Sequence, residues 1–230
     1  MSVPFYVSPE QVMKDKADFA RKGIARGRSV VVGQYRDGII LVAENPSRAL
    51  HKISEIYDKI GFAAVGKYNE FESLRVAGIR LADLRGYSYD RVDVTGRSLA
   101  NAYAQTLGSI FTETQKPYEV EIVVAEVGSD QSLDQIYRIS FDGSVADEKG
   151  CLVMGGDAES VAAQLTSRWS IESSLSEALK HAVEALEQGG SGDSRNLKAS
   201  DLEVAILDRQ RPRRAFRRLE SDEILNVLAV

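Results

Sequence analysis

The chain has 230 residues, 43 % hydrophobic and 27 % charged, with 29 Lys and Arg against 34 Asp and Glu and a formal net charge of −5. That is ordinary globular composition rather than disordered or fibrous, and a chain of this length buries about 70–75 % of its unfolded surface, so no metal or disulfide is needed to hold it. One cysteine, Cys151, and two histidines, His51 and His181, exclude an internal disulfide and a His/Cys zinc site; residues 1–10 lack the charged-then-apolar order of a secretory signal, and no run approaches the ~20 apolar residues of a membrane span.

The first element is a helix over residues 8–22. Ser8 sits at the N-cap, Pro9 at the first helical position and Gln11 three residues after the cap, an arrangement that satisfies the free amides and pre-sets φ. Met13, Ala17, Ala20 and Ile24 form its apolar stripe, and Gly23 and Gly27 close it. Before the cap stands a short, largely apolar tail, Ser2, Val3, Pro4, Phe5, Tyr6 and Val7, which suggests a contact elsewhere. Residues 29–35 and 38–43 are β-branched and apolar around an Arg36-Asp37-Gly38 turn, and read as a hairpin covered on both faces. Strand-like runs follow at 53–57 and 61–65.

From Lys67 the period changes from 2 to 3.6. Helices are expected over about 67–85 and 95–115, then strands at 118–127, 135–141 and 151–154, with Asp142-Gly143 as a turn. A second helix pair covers about 157–168 and 174–188, the latter opened by a Ser174/Glu177 capping box. After the flexible glycine-rich stretch 189–193, strand-like segments are expected at 202–207, 213–219 and 224–227. Strands grouped between helix pairs are not the βαβ alternation of a doubly wound sheet. They fit two stacked sheets between two helical layers, an α+β class fold with αββα layering.

Several features invite chemistry. Residues 61–68 nearly match the phosphate loop G-x-x-x-x-G-K-[ST], but Tyr68 stands where a small hydroxyl would reach Mg²⁺ and the middle residues are strand formers, so the segment reads as structural. Six arginines lie between Arg209 and Arg218; acidic residues follow at once, and the run reads as a hairpin or subunit contact rather than a nucleic-acid site. Neither histidine has an evident Ser or Cys partner, there is no G-x-S-x-G, and Cys151 falls in an expected strand where an inert thiol is the default.

The stretch Ser8-Pro9-Glu10-Gln11-Val12, with Asp18-Phe19-Ala20 and then Gly23-Ile24-Ala25-Arg26-Gly27, resembles the N-terminal signature helix of proteasome core-particle α-type subunits, those of actinobacteria above all. It departs from the pattern in Asp18-Phe19, where Glu-Tyr is usual, and in a shorter spacer after Pro9. The order of elements resembles that family along the whole chain.

The resemblance implies the four-layer fold of N-terminal-nucleophile hydrolases, with residues 8–230 as one domain, an extension helix at about 8–22 and a gating tail at 1–7. Active β-type relatives cut themselves after a glycine to expose a threonine nucleophile. Carried over residue by residue, Gly27 falls at the cleavage glycine, Arg28 at the nucleophile, Glu44 near the acid and Lys52 near the lysine. An arginine has no hydroxyl and stays cationic. No catalytic residue is therefore expected in this chain.

The implied role is a non-catalytic ring subunit. Six further α-subunits, in a homo- or hetero-heptameric ring, would cap rings of β-subunits as α7β7β7α7. Ser2 to Val7 would narrow the axial pore, and Lys52 would receive the C-terminus of a regulatory AAA ATPase that delivers protein substrates, Pup-modified ones among them. Neither cofactor nor metal is implied, nor nucleic acid nor membrane, and the location expected is the cytoplasm. Two other classes remain open: a self-compartmentalised N-terminal-nucleophile peptidase, which a chain beginning at Ser29 would revive, and a nucleic-acid binder using residues 209–218.

Overall fold

The computed structural model describes residues 8–47, 49–189 and 195–229. Helix α1 (Pro9–Ala25) leads into the hairpin β1 (Val30–Tyr35) and β2 (Gly38–Glu44), then β3 (Ile53–Tyr57) and β4 (Ile60–Gly66). Helices α2 (Tyr68–Ser88) and α3 (Gly96–Glu113) precede β5 (Val120–Glu126), β6 (Gln135–Ile139), β7 (Val145–Glu148) and β8 (Cys151–Met154). Then come α4 (Ala158–Thr166), α5 (Leu175–Gln188), β9 (Leu202–Asp208), β10 (Phe216–Leu219) and α6 (Ser221–Leu228). Ser8 caps α1 as expected, its Oγ accepting from the Gln11 amide at 3.2 Å.

Among the described residues the strands form two antiparallel sheets of five, ordered β10-β9-β2-β1-β8 and β3-β4-β5-β6-β7. Strand alternation sorts the side chains into three apolar layers. Val30, Val32, Ile39 and Leu41 meet Ile53, Ala63, Val65 and Val123 between the sheets. Val31, Ile40, Val42 and Ile206 face outward onto Leu165, Leu179, Ala182 and Ile224 of α4, α5 and α6. On the other side, Phe62, Ile122 and Val124 meet Phe71, Leu74, Leu99 and Leu107 of α2 and α3. This is the expected αββα sandwich, and its double coverage explains why β1, β2, β4 and β5 read as continuous apolar runs.

Helix α1 stands outside the four layers. Only Ala20 and Ile24 are buried along it, and both join the inter-sheet layer, so its C-terminal half closes one end of the space between the sheets. One expectation needs correction and one strand was not expected. Residues 224–227 are helical, inside α6: Asp222 and Glu223 favour a helix start, and Ile224 packs its single buried face against the α5 layer. Residues 145–148, which carry no apolar alternation, pair with β6 as an edge strand whose residues are mostly exposed.

Candidate functional site

At one end of the sandwich the start of β1, the end of β2 and the approach to β3 converge. Helix α1 ends where the Gly27 amide donates to Ile24 O at 2.9 Å, and a Cβ at Gly27 would sit 3.2 Å from that carbonyl. The chain then turns directly into β1 through Arg28 and Ser29. Glu44 is the last residue of β2, and its side chain is only 3 % exposed. Its Oε1 accepts from Nη1 of Arg28 and, at 3.2 Å, from Nη1 of Arg195. Nη2 of Arg195 also donates to Leu186 O and Gly189 O, each at 3.2 Å, tying the C-terminal end of α5 to the same carboxylate.

Lys52 reaches back into this group. Its Nζ donates to Arg28 O at 2.8 Å and to Glu44 O at 3.2 Å, using two of the ammonium's three protons. Burial pushes its pKa down to about 8; Glu44 and Glu203 pull it upward, while the Arg28 guanidinium adds to the depression.

The backbone that carries Lys52 is fixed by Glu203, a buried carboxylate in β9. Glu203 Oε2 accepts from the Lys52 amide at 2.9 Å and from Asn45 Nδ2 at 2.7 Å; Oε1 accepts from the Ile53 amide at 3.2 Å and from Arg218, with His51 Nδ1 3.2 Å away. A buried carboxylate with this many donors is satisfied rather than strained. Asn45 Nδ2 also donates to Leu50 O at 2.6 Å and closes the connection between β2 and β3.

The four residues placed together by the sequence reading, Gly27, Arg28, Glu44 and Lys52, are thus neighbours in space. Arg195 and Glu203 were missed. Arg195 follows a glycine-rich stretch and is remote in sequence from Glu44; Glu203 left one signal, a lone carboxylate in the apolar run of β9. Ser2, Val3, Pro4, Phe5, Tyr6 and Val7, expected from the resemblance to form a gate, lie outside the described residues.

This site suits anion binding better than hydrolysis. Arg28 and Arg195 bond the Glu44 carboxylate, Lys52 bonds the Glu44 backbone carbonyl, and Arg218 pairs with the adjoining Glu203, so four cations face two carboxylates and the charges sum to 4 − 2 = +2. Arg28, at the position that the resemblance gives to a nucleophile, has no hydroxyl or thiol. The neighbouring Ser29 hydroxyl is buried and donates to Gly155 O at 3.1 Å. Cys151, in β8, has its thiol pushed up to about 11 by burial and by the nearby Glu148, so it stays protonated and weakly nucleophilic.

The other candidates read from the sequence have structural roles. Residues 61–66 are β4, not a phosphate-binding loop. Five of the six arginines in the 209–218 run are bonded within the chain: Arg209 to Asp134 at 2.8 and 2.9 Å, Arg211 to Phe216 O at 3.0 Å, Arg214 to Glu55 at 2.6–2.9 Å, Arg217 to Glu223 and Arg218 to Glu203. The run spans the β9–β10 hairpin, as expected. His181 lies on α5, its Nδ1 buried without a partner among the described residues. Among those residues no group of three or more His, Cys, Asp and Glu is placed to hold a metal ion, and no helix is long and apolar enough to cross a membrane.

A family model described as "Proteasome subunit" matches residues 24–207. The curated protein "Proteasome subunit alpha" of Thermobifida fusca is 64 % identical over 228 residues, covering 99 % of this chain and 91 % of that one. The proteins of the same name from Kineococcus radiotolerans and Thermomonospora curvata are 64 % and 66 % identical, each aligned over 100 % of this chain and 99 % of its own length.

Proposed function

The chain belongs to the proteasome family as a subunit of alpha type, and on that premise we propose that it builds the heptameric outer ring of a core particle, α7β7β7α7, in which the peptidase activity resides in the β-subunits. On this reading residues 8–230 act as one domain with α1 as the extension helix. Residues 2–7 of seven copies converge on the axis and restrict admission, and Lys52 takes the C-terminal carboxylate of a regulatory AAA ATPase. The substrates are proteins delivered by that ATPase, Pup-modified ones included, and the setting is the cytoplasm.

The observation that carries this reading is the arrangement at the head of β1. The lysine and acid expected of a threonine-type site are present, but residue 28 is an arginine and Lys52 is bonded to backbone carbonyls rather than to a nucleophile. An ammonium with one donor left, set among excess positive charge, is matched to a carboxylate.

The test is assembly and activity together. The chain expressed alone should hydrolyse no peptide, and co-expression with its β-subunit should yield a particle of four seven-membered rings by native mass spectrometry, active on peptides. Robust hydrolysis by β-free chain would overturn the assignment.

A further inference from the structure

The proposal concerns how the carboxylate is gripped, and it rests on the reading of Lys52 given above. Among the described residues four arginines hold a carboxylate with two nitrogens; Arg209 uses Nη1 and Nη2 on Asp134, and the other three use one common edge. Arg75 uses Nε and Nη2 on the two oxygens of Glu72, at 2.7 and 2.5 Å; Arg91 uses the same two nitrogens on the two oxygens of Asp58; Arg214 turns the same edge to Glu55 at 2.6–2.9 Å. The Nε–Nη2 edge matches the spacing of carboxylate oxygens, which is why it holds them bidentately.

Arg28 differs. It spends Nη1 on Glu44, and among the described residues neither Nε nor Nη2 donates to any partner. Its side chain is 52 % exposed while its partner is 3 % exposed, so the guanidinium bridges a buried carboxylate and the solvent. Lys52 Nζ is bonded to the backbone carbonyl of Arg28 at 2.8 Å, and the guanidinium is near enough to depress the ammonium's pKa. Arg195 holds the same Glu44 oxygen at 3.2 Å, so Glu44 keeps a charged partner even when Arg28 shifts toward solvent.

We propose that Arg28 is the second cation of the docking site: its open Nε–Nη2 edge takes the incoming C-terminal carboxylate bidentately beside the remaining Lys52 proton, while Arg195 keeps Glu44 neutralised. The ligand class is a peptide or protein terminus with a free carboxylate. Arg28 thus supplies the directional part of recognition and Lys52 a point charge. The residue that removes a nucleophile from this position also furnishes an anion receptor there.

The experiment measures fluorescence anisotropy of a short fluorescein-labelled peptide ending in a free carboxylate, and of its C-terminal amide, against assembled particles. Wild type should prefer the acid, and Lys52→Ala should abolish that preference. Arg28→Ala should weaken acid binding about tenfold and leave the amide unchanged, with Arg28→Lys intermediate because charge returns without the fork. If Arg28 merely neutralised Glu44, the double variant Arg28→Ala/Glu44→Gln would restore acid binding. The proposal requires it to stay as weak as Arg28→Ala. Restoration, or an Arg28→Ala particle that binds the acid like wild type while Lys52→Ala does not, overturns the clamp and leaves the Lys52 reading standing. A wild-type particle that binds acid and amide equally overturns both.

Discussion

At the residue scale, Lys52 has a pH signature. With its pKa pushed down to about 8 from 10.5, chiefly by burial, it is fully charged only below that value. A carboxylate ligand favours the charged form, so peptide-acid affinity should be level below about pH 7 and fall by up to about tenfold per pH unit above about 8. Stability runs the other way. Between about pH 8 and 10.5 the unfolded chain holds the extra proton, so this residue makes the fold more stable as pH rises through that window. Anisotropy titrations from pH 6.5 to 9.5 check the first point; affinity independent of pH, or a fall that persists in Lys52→Ala, would remove Lys52 from the contact. Glu203 is the structural counterpart. Glu203→Ala strips acceptors from the Lys52 and Ile53 amides and from Asn45 and leaves Arg218 without its carboxylate. Breaking such a buried pair costs about 3–5 kcal/mol, which for a chain of this size lowers the midpoint by roughly 6–20 °C. Calorimetry on the purified chain measures it directly.

At the scale of elements, α5 shows a boundary fixed by local chemistry. Ser174 Oγ accepts from the Glu177 amide at 3.3 Å, and Glu177 returns Oε2 to the Ser174 amide at 2.8 Å. The first of these contacts is lost in Ser174→Ala, at about 1 kcal/mol or roughly 2–4 °C, and peptide-acid affinity should not change because the site lies at the opposite end of this helix. A larger loss of stability, or weakened binding, would mean that α5 is coupled to the site from both ends. This element was legible because two residues three apart carry the signal. Similarly, β1, β2, β4 and β5 were legible because each is covered on both faces. The failures have the opposite character. In α6, Ile224, Leu225 and Val227 have apolar, partly β-branched side chains that suggest a strand, and the acidic first turn of Asp222 and Glu223 together with the docking of Ile224 against the α5 layer decides for a helix. In β7 the pairing with β6 is made by the backbone, and Val145, Ala146 and Asp147 are all exposed. The site divides in the same way. Arg28, Glu44 and Lys52 fall in register with a known pattern, whereas Arg195 and Glu203 join them through tertiary folding that no spacing encodes.

For the whole molecule, the predictions concern assembly and admission. Deleting residues 2–7 should speed hydrolysis by the assembled particle, more for long peptides than for short ones, because a narrowed pore excludes by size; unchanged rates would mean that this segment does not restrict passage. Lys52→Ala should remove ATPase-stimulated degradation of a folded protein and keep basal peptide hydrolysis, and intact stimulation would place docking elsewhere.

The turn from α1 into β1 has one further consequence. Gly27 binds back to Ile24, and Ala20 and Ile24 are rooted between the sheets, so the nitrogen of Arg28 is an amide held by a helix that cannot leave without opening the core. Installing a threonine there by Arg28→Thr would supply a hydroxyl but no amine to act as its base. On the proposed reading, dormancy would rest on two features, a side chain without a nucleophile and a peptide bond in place of a free amine, so that reversing either alone would awaken nothing.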